Sequence, residues 1–253
     1  KNPPPGPVYE DPLEILFIGS SYFSYNDLPQ VFRSLSGNAG KKYNVTEAIH
    51  NGWFLYDHAI SSGTEGTISI RDWDFVILQG IGVNIAYPEP YSPYTAGMGY
   101  DPLMPALSIL EEKIHRNCED TRILYCLPWA FEDGMTWRGF EDETYEVMQQ
   151  KAIDNTVALA AHVDYRIAPV GVAWKTVLAE PGLPLHYLHL YDWNHPSRLG
   201  TYLTACVIFS SVYRQSCEGI QYYEGIDTEV ALHFQQVASE TVLGDLEKWK
   251  LDD

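Results

Sequence analysis

Short apolar runs bounded by turn residues recur along the chain at intervals that suit alternating strands and helices. Residues 13–18, 43–49, 73–78, 122–127 and 163–169 read as five buried strands. Between them apolar residues return at helical spacing. Asn26-Asp27-Leu28-Pro29 is a helix start, with a capping Asn or Asp and Pro in the first turn, leading into Val31, Phe32 and Leu35. Residues 103–114, 145–161, 198–213 and 230–249 are predicted as further helices.

The first, third and fourth runs are almost continuously apolar, as strands of a parallel sheet must be when helices cover both faces. The predicted fold is therefore α/β: a three-layer, doubly wound domain on a five-stranded parallel sheet. Ligands of such sheets gather beyond the carboxyl ends of the strands, where strand order reverses. Chemistry is accordingly sought in the turns that follow strands. The Pro- and Tyr-rich stretch 87–100 after the third strand is long for a connection, and loops of that length are usually functional or disordered.

Composition narrows the classes. Of 253 residues 45% are hydrophobic and 20% charged, which excludes disorder and fibrous repeats. The formal charge of −18 repels phosphate backbones and anionic lipid headgroups, so neither nucleic acid nor a membrane surface is an expected partner. No apolar run approaches the roughly 18 residues needed to span a bilayer. Without a composition shift or repeat, residues 13–253 are assigned to one domain and the Pro-rich residues 1–12 to an N-terminal tether. That start points to a secreted or periplasmic protein. Cys206 and Cys217 on one continuous helix would stand about 16 Å apart, beyond disulfide reach. Cys118 and Cys126 could meet across a helix-to-strand connection, although buried free thiols are the commoner outcome.

Three groups of residues could carry chemistry. Gly19-Ser20-Ser21 places hydroxyls directly after the first strand, near backbone N–H groups. With Phe at position 23 it is not a G-x-S-x-G nucleophile elbow, and taken alone it reads as a Ser-rich turn. Asp192-Trp193-Asn194-His195 precedes the helix over 198–213. An Asp three residues before a His can fix the ring tautomer and leave the other nitrogen as a general base. Asn51-Gly52, Gln79-Gly80 and Gly82-Val83-Asn84 follow the second and third strands and could donate to an oxyanion. Together they supply nucleophile, orienting acid and base in the order Ser, Asp, His.

On these blocks the chain resembles the SGNH (GDSL-type) hydrolases, and within them a bacterial, esterase-like branch. The similarity runs from Ile15-Leu16-Phe17-Ile18-Gly19-Ser20-Ser21-Tyr22 through Gly52 with His58, Trp73-Asp74-Phe75-Val76-Ile77-Leu78-Gln79 and Leu127-Pro128-Trp129-Ala130. It continues through Ala168-Pro169-Val170-Gly171 to Asp192-Trp193-Asn194-His195-Pro196-Ser197. The resemblance implies a flavodoxin-like sheet, Ser21 as nucleophile, His195 as base and Asp192 as its orienting acid. It also implies an oxyanion hole from the Ser21 and Gly52 N–H groups plus one side-chain amide. Two features depart from the pattern. Ser20 stands where Asp or Asn is usual, and the usual G-x-N-D block has no clean counterpart. Gln79 is the preferred amide and Asn84 the alternative. Trp53 and Trp129, each beside a strand end, are candidates to line an acyl or sugar pocket, or else ordinary packing residues.

Two other readings compete. His186, His189, Asp192 and His195 recur every three residues and would form a metal site on a helix, but the bracketing Pro184 and Pro196 favour a turn conformation that scatters them. The many aromatic residues in Pro-rich loops would also suit a catalytically inactive carbohydrate-binding protein. The Ser21, Asp192 and His195 set favours an acyl-enzyme esterase instead. Its expected substrate is a short acyl, chiefly acetyl, ester of a carbohydrate or similar polar alcohol, with no cofactor or metal.

Overall fold

The computed structural model describes residues 6–252. In chain order its elements are β1 (Leu13–Gly19), α1 (Ser21–Ser24), α2 (Leu28–Asn38), β2 (Tyr43–Ile49), α3 (Leu55–Ile60), α4 (Ser62–Ile68), β3 (Phe75–Gln79) and α5 (Gly82–Ala86). There follow α6 (Leu103–Asn117), β4 (Arg122–Cys126), α7 (Tyr145–Ala160), β5 (Arg166–Ala168), α8 (Val170–Leu178), α9 (Arg198–Tyr213) and α10 (Thr228–Leu243).

The strands form a single parallel sheet in the order β2-β1-β3-β4-β5, with Ile15 opposite Phe75, Phe75 opposite Arg122 and Leu124 opposite Arg166. Alternation along each strand sends side chains to two cores. Ile15, Phe17, Ile77 and Leu124 pack under α2, α8, α9 and α10, whereas Leu16, Ile18, Val76 and Tyr125 pack under α3, α6 and α7. This is the expected three-layer architecture. Strand order reverses at β1, whose carboxyl end delivers Gly19, Ser20 and Ser21 to the crevice between β2 and β3.

α9 is buried on every side from Gly200 to Tyr213. At Gly200 a Cβ would lie 2.3 Å from the Leu188 carbonyl oxygen and 2.6 Å from the Trp174 ring, so the close packing of α9 beneath the Leu188 chain requires glycine there.

The predicted boundaries shift where side chains divert the backbone. β3 begins at Phe75 rather than at Trp73, whose indole donates to the Ile68 carbonyl. β5 is three residues long because its pairing with β4 starts only at Arg166. α10 stops at Leu243. Asp245 then accepts from the Lys248 amide, and Trp249 folds back to donate its indole N–H to the Thr241 carbonyl. The short helices α1, α3, α4, α5 and α8 span too few turns to show a period in sequence.

Of the tether, Lys1 to Pro5 lie outside the described residues. Tyr9 packs against the core and accepts from Arg122 at 3.0 Å, which fastens residues 6–12 to the domain. The premise of a continuous helix between Cys206 and Cys217 fails: α9 ends at Tyr213, Arg214 turns into the left-handed region, and Cys217 comes back against α10. All four cysteines are free thiols. Among the described residues no helix is long and apolar enough to cross a membrane.

Candidate active site

Gly19 ends β1 at a crowded position, where a Cβ would sit 2.8 Å from both Gln79 Oε1 and the Phe23 ring. Its carbonyl accepts the His50 amide at 3.0 Å and His58 Nε2 at 2.9 Å. Ser20 gives its amide at 2.8 Å and its hydroxyl at 3.1 Å to Gln79 Oε1. The turn is thus held from β2, α3 and β3 together, and Ser21 opens α1 with its hydroxyl directed away from these anchors.

That hydroxyl lies 2.8 Å from His195 Nε2, and His195 Nδ1 lies 2.6 Å from Asp192 Oδ2. With Nδ1–H donating to the carboxylate, Nε2 presents its lone pair to the Ser21 hydroxyl, an arrangement able to accept that proton. Asp192 Oδ1 also receives the His195 amide at 2.9 Å and the Asn194 amide at 3.1 Å. Burial alone would raise the Asp192 carboxyl, but these hydrogen bonds outweigh it and hold the group below its ordinary value.

The base loop is a small hairpin closed by the His189–Pro196 bridge, with the Leu190 amide donating to the His195 carbonyl at 2.7 Å. It is bolted to the loop after β4. Trp129 Nε1 donates to the Asn194 carbonyl at 2.8 Å, His189 Nε2 to the Ala130 carbonyl at 2.9 Å and the Glu132 amide to the Trp193 carbonyl at 2.9 Å. The Glu132 carboxylate takes the His186 amide and Nδ1, both at 2.6 Å.

A second set of contacts ties the loop to the nucleophile segment. Tyr22 OH donates to Asn194 Oδ1, and Asn26, at φ 54°, donates to the Pro196 carbonyl at 3.0 Å and to Thr201 Oγ1 at 2.9 Å. Tyr25 stacks on the His195 ring at 4.2 Å and 14°. Sequence reasoning gave no role at the site to Tyr22, Tyr25 or Glu132, and read Asn26 only as part of a helix start and His186 only as a metal ligand. Tyr22, Tyr25 and Asn26 are the ones close to Ser21 in sequence.

Of the expected oxyanion donors, the Ser21 and Gly52 amides donate to no group among the described residues, and Gly52 sits at φ 79° in the exposed turn after β2. Gln79 stands against Ser20, with Nε2 turned to the Gly80 carbonyl at 2.6 Å. Asn84 is buried in α5 and its Nδ2 has no partner. Trp129 is only 2% exposed, stacked between Tyr22 and Trp174, so it positions the base loop instead of lining a pocket. Trp53 is half-buried and stacks on His50 at 4.1 Å.

Two clefts flank the triad. One of about 480 Å³ is lined by Met98, Phe131, Asp133, Trp137, Asp192, Trp193 and Asn194. The other, about 470 Å³, is open and polar and runs past Ser24, Asp27, Glu47, His50 and Asn51. The residues weighed as a metal set are spread over the hairpin: His186 binds Glu132, His189 binds a carbonyl beneath the loop, and His195 binds Asp192. No group of three or more potential ligands converges among the described residues.

No family model and no curated protein matches the chain. Solved structures do. A DUF4886 family protein from Bacteroides uniformis superposes with a TM-score of 0.72 at 20% identity, covering 92% of this chain and 95% of its own. A proposed SGNH hydrolase from Slackia heliotrinireducens gives 0.60 at 19%, covering 79% and 98%. An acetyl xylan esterase from Geobacillus stearothermophilus gives 0.57 at 17%, covering 84% and 97%. The fold is that of the SGNH hydrolases.

Proposed function

We propose that the protein is a serine ester hydrolase. The observation that carries this reading is the continuous relay from Ser21 Oγ through His195 to Asp192, at 2.8 and 2.6 Å. His195 Nε2 removes the Ser21 proton as Oγ attacks the ester carbonyl, and the Asp192 carboxylate stabilises the imidazolium. The Ser21 and Gly52 amides, with one side-chain amide, receive the oxyanion. As the tetrahedral species collapses, His195 returns the proton to the leaving alcohol. Water then enters, loses a proton to His195 and releases the acid from Ser21. These steps need no cofactor.

The preferred substrate is a short acyl ester, chiefly acetyl, of a carbohydrate or similar neutral polar alcohol. The net charge of −18 disfavours anionic substrates, and both flanking clefts present polar groups beside the triad. The acetyl xylan esterase on the same fold supports the same class. A fluorophosphonate followed by peptide mapping should label Ser21 alone; labelling elsewhere in folded protein, or none, would remove the assignment. An ester screen of acetylated and longer-chain substrates, with Ser21→Ala as control, then ranks acyl length and alcohol.

A further inference from the structure

Seven tryptophans are present, and four of them, Trp73, Trp129, Trp174 and Trp249, are buried. Trp137 is 59% exposed and Trp193 36%, and both line the cleft beside Asp192. Both sit on backbone segments that are tied down. Trp193 takes φ 65°, uncommon for a bulky residue, its carbonyl is fixed by the Glu132 amide and the edge of its ring meets His186 at 4.7 Å. Trp137 sits in a short 3₁₀ turn whose next residue, Arg138, donates to the Ala96 carbonyl at 2.6 Å. That bond also anchors the Pro/Tyr-rich loop, which delivers Met98 to the cleft wall.

Two polar groups face the same space with capacity to spare. Asp133 is half-buried, and among the described residues its carboxylate forms no hydrogen bond or ion pair. Burial and the neighbouring Glu132 raise its pKa, partly offset by His186. Asn194 Oδ1 accepts from Tyr22 OH, and its Nδ2 has no acceptor among the described residues.

We infer that this cleft is a saccharide subsite, in which a neutral pyranose packs on the Trp137 and Trp193 indoles while its hydroxyls donate to Asp133 and accept from Asn194 Nδ2. Sugar rings combine apolar C–H faces with hydroxyl edges, matching indoles set beside an unpaired acceptor and donor. An alkyl chain would leave the Asp133 carboxylate dehydrated and unpaired. An anionic sugar meets Asp133 and Asp192. The cation position over the Trp137 ring is already taken by the Arg138 guanidinium, 5.5 Å from the ring centroid. The subsite abuts Asp192 and Asn194, so it would take the alcohol side of the ester; that assignment rests on the ester-hydrolase reading, whereas the binding itself does not.

The test uses the Ser21→Ala protein titrated with unacetylated trisaccharides of xylose, glucose and mannose, following tryptophan emission. At least one neutral trisaccharide should bind saturably, with at least tenfold weaker binding after Trp137→Ala and about threefold to tenfold after Asp133→Asn. A trigalacturonate and a chitosan trimer should bind more weakly than the neutral sugar. In the active protein, Trp137→Ala should lower the ratio of kcat/KM for an acetylated trisaccharide to that for vinyl acetate at least tenfold. No saturable neutral binding, stronger binding of the charged trimers or of decanoate, or an unchanged ratio would overturn the inference. Sugar binding that depends on Trp137, without Ser21-dependent hydrolysis of any ester, would leave the subsite standing and remove the hydrolase reading.

Discussion

Two histidines reach the nucleophile turn from opposite sides, and they differ in every respect that matters for proton transfer. His195 is partly exposed, paired to the Asp192 carboxylate and in contact with the Ser21 hydroxyl. His58 is 1% exposed, meets only neutral oxygens, the Gly19 carbonyl at 2.9 Å and Thr64 Oγ1 at 3.0 Å, and burial pushes its pKa down to about 4. Its Nε2–H therefore donates to Gly19 and its Nδ1 accepts from Thr64. The residue type is the same. A carboxylate partner and access to solvent equip one ring to exchange a proton, whereas burial among neutral acceptors keeps the other ring neutral and makes it a fastener for the turn.

The sharpest way to break this contrast is to remove the relay. Ser21→Ala or His195→Ala should cost roughly 10⁴-fold or more in turnover of an activated acetyl ester, and Asp192→Asn roughly 10³–10⁴-fold, with thermal unfolding little changed. Turnover retained within tenfold in any of them would place the chemistry elsewhere. The oxyanion donor comes next. Gln79→Ala or Asn84→Ala should lower kcat by roughly 10²–10³-fold, whichever amide faces the developing charge. Comparing the two at equal folded concentration decides between the amide beside Ser20 and the unpartnered one in α5.

His58→Ala belongs to the other half of the contrast. It should destabilise the fold by about 2–4 kcal/mol, because it opens a cavity and strands two hydrogen-bonding oxygens. Its turnover per folded molecule should suffer far less than that of His195→Ala.

Acid sharpens the point. The folded His58 refuses a proton that the unfolded chain accepts below its ordinary value of 6.5, so its contribution to stability is lost as pH falls from 6.5 towards 4. Asp101 works in the opposite direction. Burial pushes it up to about 6 although it accepts the Leu55 and Tyr56 amides at the start of α3, so the folded carboxyl takes its proton first and stability is gained as pH falls from about 6 to 3.8. Asp101→Asn should therefore steepen the loss of stability between pH 6 and 4 in urea titrations; curves parallel to wild type would remove this assignment.

The smallest effect concerns Tyr25. Its stacked ring would favour the imidazolium of the proposed mechanism, a contact worth about 0.5–1 kcal/mol at a partly exposed site, so Tyr25→Leu should reduce kcat roughly twofold to fivefold. No change would reduce the stack to ordinary packing.

Much of the fold was legible in the sequence because β1, β3 and β4 are buried on both faces and must read as apolar runs. The boundaries of β3 and α10 were less so, since an indole at Trp73 or Trp249 turns the chain back through a bond to a carbonyl five or eight residues earlier, and that of β5 was set by its register against β4. At the site, Ser21 stood out by its hydroxyl just after a predicted strand, and Asp192 and His195 by residue type and spacing just before a predicted helix. Trp129 did not reveal its place: a tryptophan beside a strand end can line a cleft or support a loop, and only its stack between Tyr22 and Trp174 distinguishes these. The spread of His186, His189 and His195 over the hairpin likewise depends on Glu132 and Ala130, more than fifty residues earlier.

The sequence by itself determined the layer architecture and the chemical identity of the three relay groups, because burial periodicity and side-chain functionality are local properties. Only the tertiary structure decided that Ser21 and His195, 174 residues apart, stand 2.8 Å from one another, and that His195 and not His58 faces the Ser21 hydroxyl. Distance, burial and protonation are set jointly by every element packed around the turn. No local stretch of the chain contains that information.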